Sequence, residues 1–442
     1  MHVDIMSFLR NIRLYGVLIL SPACMLFVMS TQAAEWKIEP GFVTTMQYND
    51  NVKMSPDLGS AESSTGYTLE PRAKFSANEK GLWQLSLDAS GKVTRFQDVE
   101  DSDSDNIFLA FGSARQTERS QWRLDASYKR NTNLDTDFET ETPDSGLLLD
   151  DSTERNTAMI RPSVAWGVSE NTQIELSLKA SDVTFDEKTS QSYADFNDDS
   201  ADFSVKWQAY KNHRFGVTSS YTEHETPSLN YSYEQLVVEL DYRYSISESS
   251  EITLSYGKRT LESLRTDVVV ACDTGLSVLP PVNGQCEETL SLGLFALQIT
   301  PITQDISVEN DGIVTNLSYV SSTETVSHNL NGGRSVIPSS SGGAQEVRSA
   351  SYRLKIKNTE RFTTSLFLSA TDSETISGIS SSTDRTRYRA GASLGYKLNK
   401  DWSLSFSYRH IEHNIESSDE DSSSNSIFVN LHLLWPKLAT TY

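Results

Sequence analysis

The chain has 442 residues, 37% of them hydrophobic and 22% charged, and its 60 acidic against 38 basic residues give a formal net charge of −22. That balance excludes a nucleic-acid partner, because a phosphate backbone is held through clustered positive charge. Three cysteines, seven scattered histidines and no CxxC, GxSxG, HExxH or Gly-rich phosphate loop leave no motif for a cofactor, a metal or a catalytic site, so the chain is not expected to be an enzyme.

The first residues carry Arg10 and Arg13, then an apolar run from Leu14 to Met29, then small residues at Thr31, Ala33 and Ala34. This is the layout of a secretory signal peptide over residues 1–33, with cleavage after Ala33. Pro22 and the apolar residues after Cys24 fit a lipoprotein site poorly. Cleavage removes Arg10, Arg13 and Asp4, so residues 34–442 carry −23. No later apolar run is long enough for a membrane helix.

The mature chain reads as β-strands, because apolar and polar residues alternate with period two. Tyr67, Leu69, Pro71, Ala73, Phe75 and Ala77 oppose Thr68, Glu70, Arg72, Lys74, Ser76 and Asn78. After the turn NEKG, Trp83, Leu85, Leu87 and Ala89 oppose Gln84, Ser86, Asp88 and Ser90. The same pattern runs through Trp122–Lys129, Phe203–Ala209 and Leu236–Ser245. It returns at Gly312–Ser321, Val326–Val336, Asp401–His410 and Ser426–Trp435. Short turns (QTERSQ, VSENT, YKNHR, ISESSE, STE, KNTER, LNKD) alternate with long loops rich in Asp, Glu, Ser and Thr. Strands of about ten residues with short turns on one side and long loops on the other are the signature of an outer-membrane barrel. Only a closed barrel satisfies its backbone in lipid without helices, so the bilayer covers the apolar face. The expected fold is all-β, an antiparallel up-and-down transmembrane barrel of about eighteen strands, or about sixteen if the Gly-rich Val326–Val336 is not one.

Trp36, Trp83, Trp122, Trp166, Trp207, Trp402 and Trp435 all fall beside the short turns or near the ends of the mature chain. They are expected to form a periplasmic aromatic girdle. The longest loop, at about 265–311, holds Cys272 and Cys286, an expected disulfide of an exported protein. Closing that loop of about fifteen residues is worth roughly 3 kcal/mol in the chain-entropy model. Leu290–Thr300 within the loop reads as an extra strand, a helix or a plug, and the loop is the natural candidate to fold into the lumen. The negative charge is expected mostly in loops, at 98–105, 135–154, 195–202 and 416–424, where it bridges through divalent ions to lipopolysaccharide.

The polar face is different. Arg72, Lys74, Lys92, Arg123, Lys129, Arg161, Lys179, Lys206, Arg243, Arg353, Lys355, Arg387, Arg389, Lys397 and Arg409 all take its parity, against fewer acids: Glu39, Glu70, Asp88, Asp125, Glu175, Glu239 and Asp241. Basic side chains lining a lumen concentrate anionic solutes. The competing reading is a set of salt-bridge ladders that fill the interior.

The opening EPGFVTTMQYNDNV with GYTLEPRAKFS, the hairpin DGIVTNLSYV–STE–TVSHNL, DWSLSFSYRH and the ending NSIFVNLHLLWP resemble the outer-membrane β-barrel porins of type 2. That resemblance covers the mature chain, and Asn49-Asp50-Asn51-Val52 after a tyrosine is its recurrent opening. It implies a barrel associated with exopolysaccharide operons and no catalytic residues. The ending departs from the pattern, because PKLATTY follows Trp435 and either Trp435 or Tyr442 closes the last strand.

The sequence therefore points to a Gram-negative outer-membrane channel or docking protein, linked to export of an extracellular polysaccharide through a partly basic lumen. A general diffusion porin for small solutes is the first alternative, and a plugged structural or adhesive surface barrel the second. Expected partners are outer-membrane lipid and lipopolysaccharide, an anionic polysaccharide with periplasmic export machinery, and the barrel-assembly machinery.

Overall fold

Alternation dictates extended chain, and extended chain needs partners for every backbone group. The computed structural model describes residues 35–442 apart from 56–60, 80–81, 133–152, 187–192, 274–277, 280–297, 340–342, 378–383, 416–419, 436–437 and 442. For 267–273, 278–279, 298–305, 377, 415, 420 and 438–441 it describes the backbone alone. The expected signal peptide lies outside the described residues. The strands are β1 (Glu35–Asn49), β2 (Ser64–Glu79), β3 (Trp83–Phe96), β4 (Ser104–Gln116), β5 (Ser120–Thr132), β6 (Glu154–Gly167), β7 (Thr172–Phe185), β8 (Phe196–Tyr210), β9 (His213–Thr226) and β10 (Tyr231–Ser247). They continue as β11 (Ser250–Asp273), β12 (Val278–Leu279), β13 (Gln298–Ser322), β14 (Val326–Pro338), β15 (Ala344–Lys357), β16 (Phe362–Ser377), β17 (Arg385–Lys397), β18 (Trp402–Ile415), β19 (Glu420–Leu434) and β20 (Leu438–Thr441).

Apart from the short β12 and β20, these make one closed antiparallel barrel of 18 strands. Each strand pairs with the next, β11 pairs directly with β13, and β19 returns to β1 from Gly41↔Leu434 to Asn49↔Ser426. The Gly-rich segment is a full strand, β14, which settles the count at eighteen rather than sixteen. Among the described residues no helix is long and apolar enough to cross a membrane; the strands do so. Their alternate residues are exposed and apolar: Leu240 is 63% exposed, Tyr256 60%, Leu368 54% and Met46 63%. In water each such leucine would forgo about 1.5–3 kcal/mol of burial, and the belt on every strand is satisfied only by lipid. This is an outer-membrane barrel.

Two sequence expectations need correction. The segment at about 265–311 is less loop than ladder, because β11 and β13 stay paired to Asp273↔Gln298. β10 accompanies β11 only as far as Arg265, and β14 accompanies β13 only as far as Thr315, so this hairpin runs on past its neighbours. Gln298–Thr300 belongs to β13, while 290–297 and Cys286 lie outside the described residues; Cys272 pairs in backbone register with Leu279 of β12. Among the described residues there is no disulfide. The acidic stretch 195–202 is also strand rather than loop, since β8 begins at Phe196 and sends Asp198 and Asp202 inward. Pairing on both sides absorbed a stretch whose acidity alone suggested solvent.

The motif Asn49–Val52 locks the seam at the extracellular end. Asp50 accepts from the backbone and side-chain nitrogens of Asn425 at 2.6 and 2.7 Å. Asn49 Oδ1 accepts from the Ser424 hydroxyl at 2.7 Å, and the Asn51 amide donates to the Ser423 carbonyl at 3.0 Å. Val52 is buried, and Met54 turns the chain with a φ of 54°. At the other end the last strand resumes as β20 beside Glu35–Ile38, so the chain continues past Trp435 along the same seam. Asp50→Ala is expected to cost about 1.5–3 kcal/mol, the worth of hydrogen bonds to a charged group, and to lower the temperature at which the folded band is lost on unheated gels.

Candidate functional site

The lumen is built by the residues opposite the belt. On β15–β18 the odd-numbered positions face inward, because their even neighbours Leu354, Leu366, Leu368, Leu394, Leu404 and Phe406 share register with the exposed belt. Those odd positions carry Arg353, Lys355, Lys357, Arg385, Arg387, Arg389, Lys397 and Arg409 among serines, threonines and glycines. The only acids of these four strands, Glu346, Asp372, Glu374 and Glu412, are all even. Below its extracellular tip, one wall of the barrel is thus basic, with no acid of inward parity.

Most of the basic residues on the rest of the circumference are cross-paired. Lys74 meets Asp88 at 3.5 Å, Arg161 meets Asp202 at 3.4 Å, and Lys179 meets Asp198 at 2.6 Å. Lys206 meets Glu175 at 2.7 Å and Arg243 meets Glu251 at 3.1 Å. Such pairs add little stability individually, but they cancel the field they would otherwise project. Arg72 is held by Glu70 at 2.7 Å, whereas Arg123, Lys129, Lys355, Arg361 and Lys397 make no ion pair among the described residues.

A cavity of about 720 Å³ runs along the basic wall. Glu70, Arg72, Lys92, Lys355, Arg361, Lys397 and Arg409 line it together with Ser365, Ser393, Ser403, Ser405, Ser407 and Asn430. Beside it a recess of about 280 Å³ is formed by Arg353, Arg389 and Arg409 with Phe367 and Phe428. Arg353 and Arg389 lie over the Phe367 ring at 5.3 and 5.8 Å, and Arg409 lies over Phe428 at 4.9 Å. Stacking on a ring fixes a guanidinium without neutralising it.

All of the basic residues singled out from the sequence occupy inward positions, but the structure separates them into two groups. The members on β2–β10 largely belong to the cross-paired circumference, while Arg353, Lys355, Arg387, Arg389, Lys397 and Arg409 gather on one wall with Arg72 and Lys92 across the cavity. Trp36, Trp83, Trp122, Trp166, Trp207, Trp402 and Trp435 all stand at the turn-side ends of their strands. Trp122, Trp166, Trp207 and Trp435 are more than half exposed, and Trp36 packs edge-on to Trp83. Sequence reasoning did not single out Arg361, Phe367 or Phe428. Strand parity was enough to place the two phenylalanines inward, but only the fold shows them beneath arginines. Among the described residues no group of three His, Cys, Asp or Glu side chains converges as a metal site.

The extracellular mouth is packed. Val183, Phe185, Tyr193 and Phe196 form one buried cluster, and Tyr231, Tyr233, Leu261 and Ala344 a second. His224 bridges them, with ring centroids 5.0 Å from Phe196 and 4.7 Å from Tyr233.

No protein-family model matches the chain, and no curated protein does. Solved structures that resemble it include Pseudomonas aeruginosa OccK2 in complex with glucuronate, at 10% identity over 91% of this chain and 98% of that one, TM-score 0.44. Acinetobacter baumannii OccAB3 is similar at 10% identity over 91% and 99%, TM-score 0.43. P. aeruginosa OpdK with vanillate is similar at 9% identity over 90% and 99%, TM-score 0.42. These likenesses are too distant to carry more than the strands themselves show. Nothing among them supports the expected tie to exopolysaccharide operons or to polymer export.

Proposed function

We propose that this outer-membrane barrel is a diffusion channel for small solutes that favours anions. The observation that carries the reading is the wall β15–β18, with eight basic residues and no acid of inward parity, bordering a cavity of about 720 Å³. That volume suits small molecules rather than a polymer, and its serines and asparagine can exchange hydrogen bonds with a hydrated solute as it passes. A passing anion is attracted by the wall but not trapped, since no single residue encloses it.

The test is uptake into proteoliposomes of solutes of equal size and different charge. The expected result is faster entry of a monosaccharide acid than of the neutral sugar, with the amino sugar slowest. Equal rates for all three would remove the role given to the basic wall. No uptake of any solute would favour a plugged structural barrel, for which the packed mouth already speaks.

A further inference from the structure

Strand pairing and packing disagree at one place in the barrel. On β14–β16 the even positions face the lipid, as Leu330, Leu366 and Leu368 do. Yet Ala344 at the end of β15 belongs to one buried cluster with Tyr231, Tyr233 and Leu261, and Val336 and Ile376, which share that outward parity, pack against this cluster. Tyr231, Tyr233 and Leu261 occupy the inward parity of β10 and β11, because Leu236, Leu240 and Tyr256 point outward from the same strands. The outer face of one set of strands can touch the inner face of another only if its tip folds into the barrel. Ala344, Gln345, Glu346 and Val347 are accordingly buried on both faces.

The departure point is defined. β13 and β14 stay paired as far as Thr315↔Arg334, immediately after Gly332–Gly333. A side chain at Gly333 would meet the Thr315 carbonyl at 2.7 Å, so the close approach there requires glycine. Above it the tip is held by charge. Glu346 is shared by Arg334 at 2.7 Å, Arg348 at 3.0 Å and Arg259 at 3.4 Å. Arg259 lies on the inward face of β11 and reaches Glu346 across Gly312, where a Cβ would collide with its guanidinium. Arg259 and Glu346 are almost wholly buried, and the Nε and Nη1 of Arg259 have no hydrogen-bond partner among the described residues.

We infer that the upper ends of β14–β16, residues 335–338, 344–347 and 372–376, form a gate over the extracellular mouth, latched shut by Glu346 on Arg259 and able to swing at Gly332–Gly333. This rests on the channel reading above. The latch is poorly satisfied for a purely structural contact, since a buried arginine with two unmet donors holds its partner less firmly than a bidentate pair. The apolar seam of Val336, Ile376 and Ala344 is small enough to part without disturbing the ladder below Arg334.

The experiment uses the full mature chain with Cys272→Ser and Cys286→Ser in planar bilayers, with unheated gels to confirm a folded barrel. Glu346→Gln leaves Arg259 buried without its charge partner and is expected to raise the mean conductance about ten-fold. Val336→Cys with Tyr233→Cys, joined by a short bis-maleimide, is expected to hold conductance at or below the parent level even when Glu346→Gln is added. If Glu346→Gln and the crosslinked chain conduct like a parent that conducts anions well, the gate is wrong and the channel reading stands. If no folded variant conducts, both are wrong.

Discussion

Replacing Arg353, Arg389 and Arg409 together by glutamate is expected to turn an anion-preferring channel into a cation-preferring one. The three guanidinium groups share one recess on the acid-free wall and are braced by Phe367 and Phe428. An ion about 10 Å from each, in water and at a Debye length near 10 Å, feels roughly 0.15 kcal/mol per charge. Three charges change sign, a total change of six units, so the anion loses about 1 kcal/mol and the cation gains as much. The permeability ratio should therefore move by about 20-fold, and replacement by glutamine by about 5-fold. Reversal potentials in a salt gradient read both. Neutralising both partners of an ion pair instead, Lys179→Gln with Asp198→Asn, should leave the ratio nearly unchanged, because the pair carries no net charge to remove.

Leu240→Arg is expected to cost about 2–4 kcal/mol in phospholipid vesicles, the penalty for a cation on the lipid face at the bilayer midplane. Leu240 is 63% exposed and stands seven residues above the turn-side end of β10, well inside the belt. The informative control is Ser365→Arg, on the opposite parity of β16 and lining the cavity. It should change stability by no more than about 0.5 kcal/mol, as a change into water does. Urea titration of the folded barrel measures both. In a water-soluble sandwich the order would differ, because an exposed leucine there tolerates arginine.

Much of this architecture is legible in the sequence because a barrel in lipid has a strict grammar. Parity alone sends Arg353, Arg389 and Arg409 inward and Leu404, Phe406 and Tyr408 outward, and no packing detail can reverse it without a bulge. The short turns and the tryptophans beside them mark which end is which. Composition misleads where pairing overrides it: Asp198 and Asp202 stand in an acidic run that suggests a loop, but each has a cation within reach, Lys179 on the neighbouring β7 and Arg161 two strands away on β6. The length of β11 and β13 is hidden for a related reason, since the ladder beyond Arg265 is completed by the two strands alone. The infolded tip is hidden more deeply. Val336 and Ile376 keep the correct outward parity, and only the loss of pairing beyond Arg334 turns that face into the lumen. Gly332–Gly333 is the one local signal, and in the sequence it reads as weakness in a strand rather than as a hinge. That Arg72 and Lys92 line the same cavity as β15–β18 is likewise a property of closure, because β2 and β3 reach that wall only once β19 has met β1.

The measurement that bears most directly on the basic wall is the reversal potential of the purified native barrel in a planar bilayer separating unequal concentrations of potassium chloride. A potential of the sign set by chloride, weakening as ionic strength rises and the wall is screened, is what an acid-free basic wall predicts. A potential of the sign set by potassium in a conducting, folded barrel would contradict it.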